Sequence, residues 1–71
     1  MNEPSTCAAS EARYELRFID LFDKGRGYAF PCDAKGHVQI DNLSDRCRID
    51  YFFARAVVGT ELSAPTVAFV A

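Results

Sequence analysis

The hydrophobic period of this chain changes once, from two residues to about 3.6, between residues 14 and 59. Apolar side chains alternate with other residues along two short stretches, 14–18 and 28–32. Farther along they recur at helical spacing, as Leu43, Cys47, Tyr51, Ala54 and Val58. Because side chains alternate across a strand and repeat every 3.6 residues along a helix, the pattern predicts strands followed by one helix. The fold class it predicts is α+β.

A turn after the second stretch predicts a third strand. Asp33 and Gly36 occupy the first and fourth positions of a type I turn, a pattern that often continues into a glycine bulge. The register that follows pairs Cys32 with Val38 and Phe30 with Ile40. Pro31 has no amide hydrogen, so the sheet requires either a bulge there or a neighbouring strand that ends early. The predicted architecture is a three-stranded antiparallel meander packed against one helix.

The predicted helix begins at residue 42 or 43, because Asp41 and Asn42 are both good N-caps. It ends at Gly59, a residue type that readily adopts the left-handed conformation found after a last helical turn. Three segments follow from this assignment. Residues 1–12 form a flexible tail, residues 13–61 form the compact domain, and residues 62–71 form an edge strand or a second tail.

The size and charge of the chain predict a small soluble protein. Its 71 residues carry a net charge of −2 with a pI near 5.1, and no apolar run approaches the ~20 residues that a membrane helix needs. The three cysteines, Cys7, Cys32 and Cys47, show no paired spacing, and the N-terminus does not resemble a secretory signal. Together these features predict reduced thiols in the cytoplasm, with no stabilising disulfide.

The sequence contains more apolar surface than one small core is expected to bury. Ile49, Phe52 and Ala56 lie almost opposite the main apolar face of the helix, and Ile19 and Leu21 lie on the outer face of the sheet. Exposed apolar patches of this kind mark association surfaces, and twofold self-association is the commonest outcome. The sequence therefore predicts a non-enzymatic interaction module that forms a homodimer or binds another protein.

A nucleic-acid-binding module is the alternative prediction. The residues that would contact nucleic acid are Arg26, Tyr28, Arg46, Arg48 and Arg55. The acidic pI weakens this alternative, because binding without sequence specificity usually needs a positive field. A third class, a small enzyme or ligand carrier, requires a concave pocket that a domain of this size rarely forms alone.

Catalytic, cofactor-binding and metal-binding sites are not predicted. Cys32 and His37 flank the same turn, but Cys32 shares the core side of its strand whereas His37 belongs to the bulge, so a buried thiol and an exposed imidazole are expected. These two residues with Cys7 and Cys47 lack the close paired spacing of zinc ligands.

Two strings of the sequence, GRGYAFPCD at residues 25–33 and YFFARAVVG at residues 51–59, resemble those of a group of short uncharacterised bacterial proteins. The resemblance covers most of residues 13–59. It implies a compact stand-alone bacterial domain and brings no activity, ligand or functional residue with it.

Overall fold

A computed structural model describes residues 5–7 and 13–70 of the chain. Four strands form one sheet in the order β1-β3-β2-β4; they are β1 (Ser5–Thr6), β2 (Tyr14–Ile19), β3 (Gly27–Cys32) and β4 (Thr66–Phe69). One helix, α1 (Asp45–Ala56), packs against the sheet. Strand β2 is antiparallel to β3 and to β4, whereas β1 runs parallel to β3. The predicted α+β fold with three antiparallel strands and one helix is confirmed.

The hydrophobic core lies between the helix and one face of the sheet. The register of β2 and β3 places Leu16 opposite Phe30 and Phe18 opposite Tyr28, so the residues predicted to share a face do so. Phe18 and Phe30 are completely buried, and their ring centroids lie 5.9 Å apart in an edge-to-face arrangement. The ring of Tyr51 in α1 contacts Phe30 in the same geometry at 5.2 Å. Aromatic contacts therefore join the sheet to the helix.

The turn after β3 forms as predicted. The amide of Gly36 donates to the carbonyl oxygen of Asp33 at 3.0 Å, and Gly36 has a positive φ of 88°. The amide of Asp33 in turn donates to the carbonyl oxygen of His37, and Val38 bridges Cys32 in the predicted register.

The third antiparallel strand comes from the C-terminal run rather than from the segment after this turn. Beyond the bridge at residue 38 the chain leaves the sheet, and Ile40–Asn42 form a 3-10 turn, so the predicted pairing of Phe30 with Ile40 is wrong. A strand there would lie on the edge of β3 away from β2, where β1 pairs with Tyr28 and Ala29 and where Pro31 offers no amide hydrogen. Strand β1 ends at Thr6, which pairs with Ala29, so it stops before it reaches Pro31. It is therefore the neighbouring strand that ends early, as the missing amide hydrogen of Pro31 requires.

Helix α1 begins later than predicted because a different residue caps it. The hydroxyl oxygen of Ser44, rather than Asp41 or Asn42, accepts a hydrogen bond at 3.2 Å from the amide of Cys47. The helix ends at Ala56, and Gly59 adopts the predicted left-handed conformation in the turn that follows, with φ of 91°.

The prediction of three reduced thiols is wrong. Cys7 and Cys47 form a disulfide with their Cα atoms 5.9 Å apart, which ties the residue after β1 to the first turn of α1. Cys32 is the free cysteine and is buried. The pairing partners lie 40 positions apart in the sequence, so only the folded chain brings them together.

The predicted terminal segments are described only in part. Residues 1–4 and 8–12 of the predicted tail lie outside the described residues, while residues 5–7 run beside β3. The C-terminal segment forms the edge strand β4 on β2, which was one of its two predicted states. Along residues 5–7 and 13–70, no helix has the length and apolar content needed to span a membrane.

Candidate functional site

Helix α1 carries apolar side chains on two opposite faces. Its inner face packs on the sheet through Tyr51 and Ala54, both buried. Its other side carries four exposed apolar residues, which we call the outer helix face: Ile49, Phe52, Phe53 and Ala56. At 3.6 residues per turn these four lie within about a third of the helix circumference. Three of them are the helical interaction residues predicted from the sequence.

The outer helix face is well exposed and held in place by core rings. Ile49 is 66% exposed, Phe52 54% and Phe53 47%. The ring centroid of Phe52 lies 5.7 Å from that of Tyr51, and the ring of Phe53 meets Tyr28 edge on at 6.3 Å. Because both phenyl rings rest against core rings, a partner that binds this face would pay little additional side-chain ordering entropy.

Charged pairs border the outer helix face. Arg46 Nε lies 3.7 Å from Asp50 Oδ1 on one side, and Arg48 Nη1 lies 3.2 Å from Asp45 Oδ1 on the other. An apolar centre with a rim that carries both signs of charge is typical of a protein–protein interface.

The structure separates the two predicted sheet residues from the outer helix face. Ile19 is half-buried and its backbone pairs with Ser63, whose amide donates to the carbonyl oxygen of Ile19 at 2.8 Å. Its side chain shares the sheet face of Arg17, which is the face away from α1. Leu21, just past the end of β2, is 47% exposed. These two residues therefore do not extend the helical patch.

The sequence interpretation missed two kinds of exposed apolar residue. Phe53 is not among the interaction residues predicted from the sequence, yet it is 47% exposed and belongs to the outer helix face. Val67 and Phe69 of β4 are also exposed, although they face the helix side of the sheet opposite Leu16 and Tyr14. The composition of residues 66–69 favours a strand, but it cannot identify β2 as the neighbour.

The five residues predicted to contact nucleic acid do not form one patch. Arg46 and Arg48 are two positions apart on α1, which places them on nearly opposite sides of the helix. The guanidinium of Arg48 donates to the carbonyl oxygens of Ile40 and Leu43, at 3.5 and 3.2 Å. Tyr28 is partly buried in the aromatic core, and Arg26 lies in the turn before β3. The structure gives the nucleic-acid alternative no common surface.

Cys32 and His37 do not form a nucleophile and base pair. Burial raises the pKa of the Cys32 thiol, and the negative charges of Asp33 and Glu15 raise it further. His37 is exposed, and its Nδ1 lies 3.2 Å from Asp33 Oδ2. Hydrogen bonding from the backbone amide of His37 is the main cause that lowers the pKa of the Asp33 carboxyl. Among the residues that the structure describes, no group of three His, Cys, Asp or Glu side chains is placed to hold a metal ion.

We expect Cys32 to resist alkylation in the folded protein, because its buried thiol has a raised pKa and the thiolate is the reactive form. Mass spectrometry after treatment with iodoacetamide at pH 7.5 should show no adduct on the native protein. In urea one adduct should appear, and after reduction in urea three should appear. Rapid labelling of Cys32 without denaturant would contradict its burial.

No protein family, curated protein or solved structure matches this chain at a significant level. The resemblance of residues 25–33 and 51–59 to short bacterial proteins therefore stays a prediction.

Proposed function

We propose that this protein is a small non-enzymatic interaction module that forms a homodimer through the outer helix face. The observation that carries the proposal is the joint exposure of Ile49, Phe52, Phe53 and Ala56 on one side of α1. Removing one phenylalanine or isoleucine side chain from water contributes roughly 1.5–3 kcal/mol. An exposed apolar patch with a charged rim is the surface that a protein partner covers.

A second copy suits this face because the helix is complementary to itself when reversed. A twofold interface brings the same patch of two subunits together. In an antiparallel pair of α1 helices, the N-terminal end of each helix lies beside the C-terminal end of the other. The opposite ends of the two helix dipoles then attract each other.

The proposal predicts that Phe52→Ser disrupts the dimer while leaving the fold intact. Each dimer loses two buried phenyl rings, so the dissociation constant should rise about a hundredfold or more. Sedimentation equilibrium of the oxidised full chain measures this dissociation constant. The protein concentration should range from about 1 to about 500 μM, because dimers of modest interface area dissociate on the order of this range.

Phe22→Ser is the matched control, because Phe22 is 83% exposed in the turn between β2 and β3 and is not part of the outer helix face. We expect this variant to dimerise like the unaltered protein. A strictly monomeric unaltered chain, or equal weakening by both substitutions, would contradict a homodimer through the outer helix face.

The nucleic-acid alternative makes a different prediction for the same protein. Phosphate contacts release counterions, so oligonucleotide binding would weaken steeply as salt is added, whereas an apolar dimer would not. Retention of a labelled oligonucleotide that is lost between low and high salt would favour the alternative.

The predicted cytoplasmic location stays a prediction, and one of its premises no longer holds. It was based partly on reduced thiols, but Cys7 and Cys47 are joined. Disulfides form and persist in oxidising compartments and are rare in the cytosol. The disulfide therefore favours a location where thiols are oxidised.

A further inference from the structure

A groove of about 500 Å³ opens between the C-terminal end of α1 and the start of β4. Leu16 and Val67, paired neighbours on β2 and β4, contribute its apolar floor. The turn after β3 closes over this floor, since a Cβ atom on Gly36 would lie 3.1 Å from Cγ2 of Val67. Volumes of roughly 300–1,000 Å³ with apolar linings and a few polar groups are typical of small-molecule sites. The groove is open to solvent, and its volume falls within this range.

The charged residues of the groove are all positive. Arg55 of α1 and Lys35 of the turn line it, and no lining residue is acidic, although the whole chain has 10 acidic and 8 basic residues. The nearby Asp33 carboxylate already accepts hydrogen bonds from the amides of Lys35 and His37. Within residues 5–7 and 13–70, neither Lys35 nor Arg55 has an ion-pair partner. The groove therefore has unmatched positive charge.

Tyr51 holds the guanidinium of Arg55 in position. Arg55 Nη1 donates to the hydroxyl oxygen of Tyr51 at 2.8 Å, and Arg55 Cζ lies 5.7 Å from the centroid of the same ring. These contacts use one donor of a guanidinium that has five, so a planar pair of N–H groups remains for a ligand. The Tyr51 hydroxyl, which accepts from Arg55, keeps its own hydrogen to donate.

We propose that this groove binds a small carboxylate with an apolar body. The carboxylate receives charge-assisted hydrogen bonds from Arg55 and Lys35, and the apolar body lies on Leu16 and Val67. The two unpaired cations favour an anionic group on the ligand. The floor offers no polar side chain, so it favours an apolar body. The site is independent of the homodimer, since no member of the outer helix face lines the groove.

An NMR titration of the oxidised full chain with hexanoate tests this site. Hexanoate should shift the amide signals of residues 35–36, 51–55 and 66–67 and reach saturation. Because each substitution removes charge-assisted hydrogen bonds to the carboxylate, Arg55→Gln and Lys35→Gln should each weaken binding about tenfold or more. Lys24→Gln, which removes an exposed cation from the turn between β2 and β3, is the matched control and should leave the dissociation constant unchanged.

Two comparison ligands separate the halves of the proposal. Hexanamide keeps the apolar body without the charge, and acetate keeps the charge without the body, so both should bind much more weakly than hexanoate. Equal binding of hexanamide would show that the cations play no part. Equal binding of acetate or inorganic phosphate would show a plain anion contact, and either result would overturn the proposed site.

Discussion

Reduction of the disulfide between Cys7 and Cys47 is expected to lower the free energy of unfolding by roughly 2–4 kcal/mol. The disulfide links residues 40 positions apart, and it limits the conformations of the unfolded chain more than a short loop would. Without it, residues 5–7 keep the two-residue parallel pairing of β1 with β3 and the hydrogen bond from the amide of Cys7 to the carbonyl oxygen of Ala29. A domain of 71 residues has only a few kcal/mol of net stability, so this loss removes much of the total.

Urea unfolding followed by far-ultraviolet circular dichroism measures this loss. The unfolding midpoint of the unaltered protein should fall sharply when a phosphine reductant is added. The double variant Cys7→Ser with Cys47→Ser should unfold at the reduced protein's midpoint and should not respond to the reductant. An unaltered midpoint after complete reduction would show that the disulfide does not stabilise the fold.

The sequence was sufficient to predict features set by local chemistry. The period of two placed Leu16, Phe18 and Phe30 on one sheet face, because neighbouring side chains in a strand must point to opposite sides. The Asp33–Gly36 turn was recognisable because a positive φ at the bulge favours glycine. The helical period similarly placed Ile49 and Phe52 away from the core.

Features set by distant contacts could not be predicted. The pairing of Cys7 with Cys47 depends on β1 lying beside β3, and nothing in the spacing of the cysteines encodes that. The run at residues 66–69 has the composition of a strand, but its neighbour is decided by which sheet edge remains open. Pro31 has no amide hydrogen, and this identified the edge of β3 along which a full strand could not pair.

The groove was missed for the same reason. Leu16, Lys35, Arg55 and Val67 come from two strands, a turn and a helix that are far apart in the sequence. Taken one at a time, Lys35 is a turn lysine and Arg55 a helix-surface arginine. Only the fold shows that the two cations share one apolar floor.

Replacement of Gly27 by alanine is expected to cost roughly 3 kcal/mol or more of folding stability. Gly27 begins β3 opposite Ile19 and has a φ of 151°, a backbone conformation that residues with a side chain rarely adopt. A Cβ atom there would collide with the backbone carbonyl oxygen of Phe18 in the adjacent strand. Because that atom belongs to the central strand pair, it can move away only if β2 and β3 separate around the buried ring of Phe18.

Gly59→Ala is the matched control for this substitution. Gly59 also has a positive φ, of 91°, but among the described residues no heavy atom would lie within 4 Å of its added Cβ. This variant should lose only about 1–2 kcal/mol, the backbone cost of an alanine in the left-handed region. The difference between the two unfolding free energies in urea isolates the steric collision with Phe18. Equal losses would mean that β2 and β3 approach each other less closely at Gly27 than the register of the sheet requires.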